Sequence, residues 1–196
     1  QSLRFLSGSE DDSARIWSDG SQHELTLGSH LDWVEGLAFD AGGSRLASVG
    51  RDGSLRLWNA SDGLLEQVIE LEQRAYDLAW LDEERLLLFL DDTRVQVLQL
   101  SDPGAMQPLE GTGQNSLPLT AMSVHRATGQ VLGRNLDNTL FLWGSSPPGL
   151  RFQIQVEESF NYCQAFHPSG ESFGVGLEGG RGGLHDAAGG RLPGGR

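Results

Sequence analysis

Short runs in which apolar and polar positions alternate recur along the chain, divided by clusters of Gly, Ser, Asp and Pro. The clearest stretch runs from His30 to Trp58, HLDWVEGLAFDAGGSRLASVGRDGSLRLW. VEGLAF alternates, DAGGS is a turn cluster, RLASVG is a second strand, RDGS a second turn, and LRLW a third strand. Alternation at period two predicts half-buried strands, and Asp-Gly between two such runs predicts a hairpin turn that needs positive φ. The same reading predicts strands near 3–7, 13–17, 34–39, 45–49, 54–58 and 64–70, with a further outer strand near 23–27. Beyond them, AYDLAW, RLLLFL, RVQVLQL, LTAMSV, QVLGRN, NTLFLW, RFQIQV, YCQAF and SFGVG are strand candidates. The unbroken apolar run in RLLLFL suits a strand buried on both faces. SDPGAMQPLEGTGQNSLP, residues 101–118, reads as a loop with a short outer strand, and SSPPG as a rigid connection.

The strands form a repeat. An Asp in a turn is followed six residues later by Trp at Asp11/Trp17, Asp52/Trp58 and Asp137/Trp143. Asp91/Val97 holds that spacing with valine, and Gly179/His185 holds it with both residues replaced. The closing positions 17, 58, 97, 143 and 185 lie 41, 39, 46 and 42 apart. Ala38-Phe39, Ala79-Trp80, Ser123-Val124 and Ala165-Phe166 repeat in phase with them. A period near 40 with three or four short strands per unit predicts radial blades, each leaning on the next.

On these residues the chain resembles the WD-repeat family of β-propellers, strongly in the second unit and weakly in the third and fifth. The resemblance implies an all-β fold of four-stranded antiparallel blades spanning residues 1–196 as one region. The blades would cover about 1–28, 29–71, 72–110, 111–156 and 157–196, the first without its innermost strand. Four to five blades would leave an incomplete ring, so a fragment of a longer chain is expected, with open blade edges able to self-associate. The phrase AFDAGGSRLASVGRDGSLRLW is similar to bacterial members.

Composition narrows the function. The net charge is −13, which disfavours nucleic acid. Between Glu66 and Asp92 nine carboxylates face only Arg74 and Arg85, a local balance of −7 that would steer a basic partner. No run of 18 apolar residues exists, so no membrane partner is expected, and the start lacks the pattern of a signal peptide; a cytoplasmic location is the expectation. Gly is abundant at 27, as turn-rich chains require. After Gly174 it becomes so dense that this end is expected to pair only marginally. The single cysteine, Cys163, is expected to pack near a strand end.

His30, Ser48 and Asp52 invite a catalytic reading, but Ser48 sits mid-strand without an elbow or an oxyanion site. The family resemblance implies instead that His30, Ser48, Asp52 and Trp58 form a hydrogen-bonded structural tetrad. His23, His125, His167 and His185 show no metal-ligand spacing, and His125 and His167 read as solvent-exposed turn residues. The carboxylate clusters fall in turns, and GLEGGRGG lacks the Lys-Ser/Thr of a phosphate loop. No catalytic residue, cofactor or metal site is expected.

The resemblance also implies docking at the face where chains enter the innermost strands. Its positions here include Trp33, Glu35, Arg51, Arg74, Tyr76 and Tyr162, and Trp, Tyr and Arg dominate interface hot spots. The leading expectation is a non-catalytic scaffold that binds a protein or peptide on that face, a basic one where the acidic charge steers it. The alternative is the sensor portion of a larger signalling or defence protein with a kinase, NTPase or protease-like domain. A propeller-based hydrolase is a third reading, for which no acid–base pair converges.

Overall fold

In a computed structural model the described residues are 4–19, 25–28, 30–91, 95–109, 119–125, 127–135, 137, 139–145, 148–155, 161–177 and 181–188. They form strands joined by turns, and no helix among them is long and apolar enough to cross a membrane. The first sheet holds β1 (Arg4–Gly8), β2 (Ala14–Ser18) and β3 (Leu25–Thr26). The second holds β4 (Val34–Phe39), β5 (Arg45–Gly50), β6 (Ser54–Asn59) and β7 (Leu65–Glu70). The third holds β8 (Ala75–Trp80), β9 (Arg85–Leu90), β10 (Val95–Gln99) and β11 (Asp102–Pro108). The fourth holds β12 (Leu119–His125), β13 (Gln130–Asn135), β14 (Thr139–Ser145) and β15 (Pro148–Gln155). The fifth holds β16 (Asn161–Phe166), β17 (Ser172–Leu177) and β18 (Arg181–Asp186). Each is an antiparallel meander in chain order. The chain divides into two compact units, Gln1–Gln107 and Pro108–Arg196.

Within each unit the core lies between neighbouring sheets. Ala14, Ile16 and Leu27 pack with Val34, Leu46 and Trp58. Ala47, Val49, Leu55 and Leu57 pack with Leu78, Trp80, Leu86 and Leu88. In the second unit Leu132, Leu140 and Leu142 pack with Phe173 and Val175. A lone twisted sheet cannot bury its own face, so stacking supplies the apolar burial. The arginines that open β1 and β5 add a polar clasp. Arg4 lies over Phe39 at 5.3 Å and donates to the carbonyls of Gly43 and Ala60. Arg45 lies over Trp80 at 5.0 Å and donates to Glu83 O, while Trp80 donates its indole N–H to Ala38 O at 3.0 Å.

Several expectations are corrected. The third unit closes at Leu98, not Val97: Leu98 pairs with Leu86 as Trp58 pairs with Leu46, and Leu98 is fully buried while Val97 is not. The interval of six is kept but is counted from Asp92 rather than Asp91. β15 begins at Pro148, three residues before RFQIQV, with Gly144 facing Gly149. β11 is a full strand of seven residues. The glycine-rich β18 pairs with β17 over six register positions. Glycine suits it there, since a Cβ on Gly183 would sit 2.9 Å from a methyl of Val175. Cys163 is exposed, because Gly176 beside it offers no side chain to cover the thiol. His125 is buried rather than exposed: its ring bonds to Thr128 Oγ1 at 2.8 Å and Pro168 O at 3.0 Å and packs on Phe166. His167 is exposed and bonds to Ser169. His23 lies outside the described residues.

Candidate functional site

In the second sheet, alternation along β5 turns Ser48 inward, and the Asp52-Gly53 turn returns the chain so that Trp58 lies two register positions from it. Gly53 has φ 77°, the left-handed region such a turn needs. Trp58 donates its indole N–H to Ser48 Oγ at 2.8 Å, and Ser48 bonds to His30 Nε2 at 2.7 Å. The other ring nitrogen, Nδ1, lies 3.0 Å from Asp52 Oδ1. With the carboxylate accepting, the network assigns the proton to Nδ1, leaving Nε2 to accept from the serine hydroxyl. Asp52 also accepts from Leu31 N–H at 2.8 Å and from Ser54 N–H and Oγ at 3.0 and 2.8 Å. Arg56 closes on its second oxygen at 3.1 Å.

Burial lowers the pKa of His30, and its bond to Asp52 opposes that only in part. Burial alone would raise Asp52, but the hydrogen bonds from Leu31, His30 and Ser54 outweigh it and hold the carboxyl well below its ordinary range. Ser48 is 0% exposed and its hydroxyl is engaged on both sides. A nucleophile so placed has no path to a substrate, so the arrangement locks strands together instead. Ser54 and Arg56 belong to it and went unread in the sequence; the signal was Asp-x-Ser-x-Arg, which also occurs at Asp11-Asp12-Ser13-Ala14-Arg15. There Asp11 accepts from Ser13 N–H and Oγ and pairs with Arg15 at 2.8 Å, while Trp17 donates to Ser7 Oγ at 2.8 Å. The first sheet thus keeps three quarters of the pattern, an indole–hydroxyl pair and a turn carboxylate.

At the end of the sheets where β4 and β8 begin, the register slips. Val34 faces Gly50 but Gly36 faces Val49, so Glu35 is an extra residue; Ala75 faces Leu90 but Asp77 faces Phe89, so Tyr76 is one too. Thr120 and Tyr162 occupy the same place in β12 and β16. A bulge of this kind re-aims its side chain out of the pleat. Glu35 takes the Nε–H of Arg51, and Arg74 stands 4.0 Å from the same carboxylate oxygen. The Arg51 guanidinium lies 3.9 Å from the centre of the Trp33 ring. Tyr76 donates to Asp91 at 2.8 Å, which holds its phenol above the ordinary value. Leu31, 84% exposed, sits two residues from Trp33. The structure therefore brings Trp33, Glu35, Arg51, Arg74 and Tyr76 into one rim shared by two sheets. The side chain of Tyr162 lies outside the described residues. Leu31 and Asp91 are rim residues that sequence reasoning missed; an apolar residue in the polar loop HLDW was the available signal for the first.

Residues 21–59 match the family model described as WD domain, G-beta repeat. The match supports the second repeat as a WD repeat, and it contains the whole His30–Trp58 network. Related curated proteins include the nuclear distribution protein PAC1-1 of Uncinocarpus reesii, 38% identical over 64 residues. Another is the nuclear distribution protein PAC1 of Arthroderma benhamiae, 42% identical over 57 residues. These matches cover 32% and 29% of this chain and 14% and 12% of the relatives. The chain therefore spans a small part of the length of those fungal proteins. Among solved structures, the β-propeller domain of Myceliophteria thermophila Cps50 (Swd1) superposes with a TM-score of 0.76 at 14% identity, covering 93% of this chain and 61% of that one. The fold is that of a β-propeller. WD-repeat propellers generally serve as non-catalytic scaffolds that bind proteins.

Proposed function

We propose that this chain is a protein-interaction scaffold whose partner, a protein or peptide, docks on the rim formed by the second and third sheets. The observation that carries this reading is the clustering of Trp33, Arg51, Glu35, Arg74 and Tyr76, two of them aimed outward by bulges. Stacking on Arg51 and pairing with Glu35 fix this part of the rim before any partner arrives, so docking there loses little side-chain freedom. Exposed Leu31 supplies apolar area beside it, and the net charge of −13 favours a partner of basic character.

The test places a photo-crosslinking residue at Leu31 and, as a control, at Glu83 beyond the far ends of β8 and β9. The reading expects a partner adduct from position 31 alone, diminished by Trp33→Ala or Tyr76→Ala. An adduct that forms equally from position 83, or that ignores both substitutions, would overturn it.

A further inference from the structure

A groove of about 360 Å3 lies along the side of the first unit, where the end of β7 and the chain after it meet β10 and β11. That volume falls in the range of small ligand sites, roughly 300–1,000 Å3. Its lining divides cleanly. Leu90, Pro103 and Met106 are apolar, and Met106 packs directly on the core. Gln73 and Gln96 bring amides, and Glu70 and Glu72 bring carboxylates. Both glutamates are exposed, and neither pairs with a cation among the described residues. Several other carboxylates on this unit do have partners: Glu35 has Arg51, Asp52 has Arg56, Asp82 has Arg85, and Asp91 has Tyr76. Gly104 leaves the wall open, since a Cβ there would meet only Asp102 Oδ1 at 3.9 Å.

We propose that this groove takes an extended polypeptide segment carrying arginine or lysine beside an apolar residue. The match is chemical. A long basic side chain lies its methylene stem on apolar atoms and keeps its charged head at a polar edge. Met106 and Pro103 offer the first surface, and Glu70 and Glu72 offer the second. A thioether side chain adapts to different apolar neighbours. A local balance of −7 over residues 66–92 draws a cation toward this side. β7 and β11 are the outermost strands of their sheets, so an extended chain can lie beside them. The proposal deepens the scaffold reading above, on which it rests only for the partner being a polypeptide.

The experiment titrates the whole chain with a short fluorescein-labelled peptide of alternating arginine and leucine, read by anisotropy, with a glutamate-for-arginine peptide as reference. Glu70→Gln/Glu72→Gln should weaken binding about tenfold, and Met106→Ser should weaken it as well. Glu83→Gln/Glu84→Gln removes the same charge from the same acidic stretch but outside the groove, and should change affinity less than about twofold. Equal losses in the two double variants would reduce the effect to general attraction and overturn the groove. Equal affinity for the acidic peptide would do the same. Loss with Trp33→Ala but not with Glu70→Gln/Glu72→Gln would place the peptide on the rim, sinking the groove while the scaffold reading stands. Loss with the groove variant alone, in a chain whose rim variants still crosslink normally, would sink the rim as the docking face and keep the groove.

Discussion

At the scale of single residues, Ser48 is the pivot of the second blade. Its hydroxyl satisfies the Trp58 indole and the His30 ring at once, both within fully buried surroundings. Ser48→Ala leaves two buried polar groups unpaired and should cost about 1–3 kcal/mol in urea denaturation. His30 sets a pH dependence. Burial holds its folded-state pKa below the ordinary 6.5, so the unfolded chain takes a proton that the folded chain refuses. Its contribution is whole above about pH 6.5 and is lost as pH falls below that value. Asp52, depressed from 3.8, adds a second loss as pH falls through and below that ordinary value. The urea midpoint of the wild type should therefore drop more between about pH 7.5 and about pH 5.5 than that of His30→Gln. Asp12 offers the opposite change. It sits where Gly53 sits in the next blade, with φ 67°. Asp12→Gly relieves a left-handed backbone and should raise thermal stability, by up to about 1 kcal/mol.

At the scale of elements, the strands were legible because alternation and turn chemistry are local, and both are written in VEGLAF, RLASVG and the Asp-Gly turn between β5 and β6. What alternation could not show was a register slip. The bulges at Glu35 and Tyr76 change which way two rim side chains point without changing any residue type, so the sequence located those positions only through family resemblance. The same limit misplaced the third closing residue: Asp91-Asp92 offers two starting points for the interval of six, and the register adopted counts it from Asp92, which hands the role from Val97 to Leu98. Buried His125 was misread because its partner, the Pro168 carbonyl, lies 43 residues away. Contacts between blades were equally invisible. Nothing local in RLASVG marks Arg45 as the residue that covers Trp80 and reaches Glu83 O. Arg45→Ala should cost about 1–2 kcal/mol, more than an exposed arginine would, measured by chemical denaturation.

At the scale of the molecule, a net charge of −13 acts on encounter more than on grip. Raising ionic strength from about 0.01 M to about 0.15 M shortens the screening length from about 30 Å to about 8 Å. The association rate of the arginine–leucine peptide should fall steeply over that range while its dissociation rate changes little. Stopped-flow anisotropy separates the two. The distribution of tryptophans makes the chain its own optical sensor. Trp58, Trp80 and Trp143 are sealed from solvent, and Trp17 lies half-buried in the first sheet, stacked on Phe5. Trp33 keeps one side open while its other face is covered by a guanidinium. Acrylamide should therefore quench the red-shifted share of the emission that Trp33 and Trp17 supply, and a ligand seated over the rim should shield the part of it that Trp33→Phe removes, without disturbing the blue remainder.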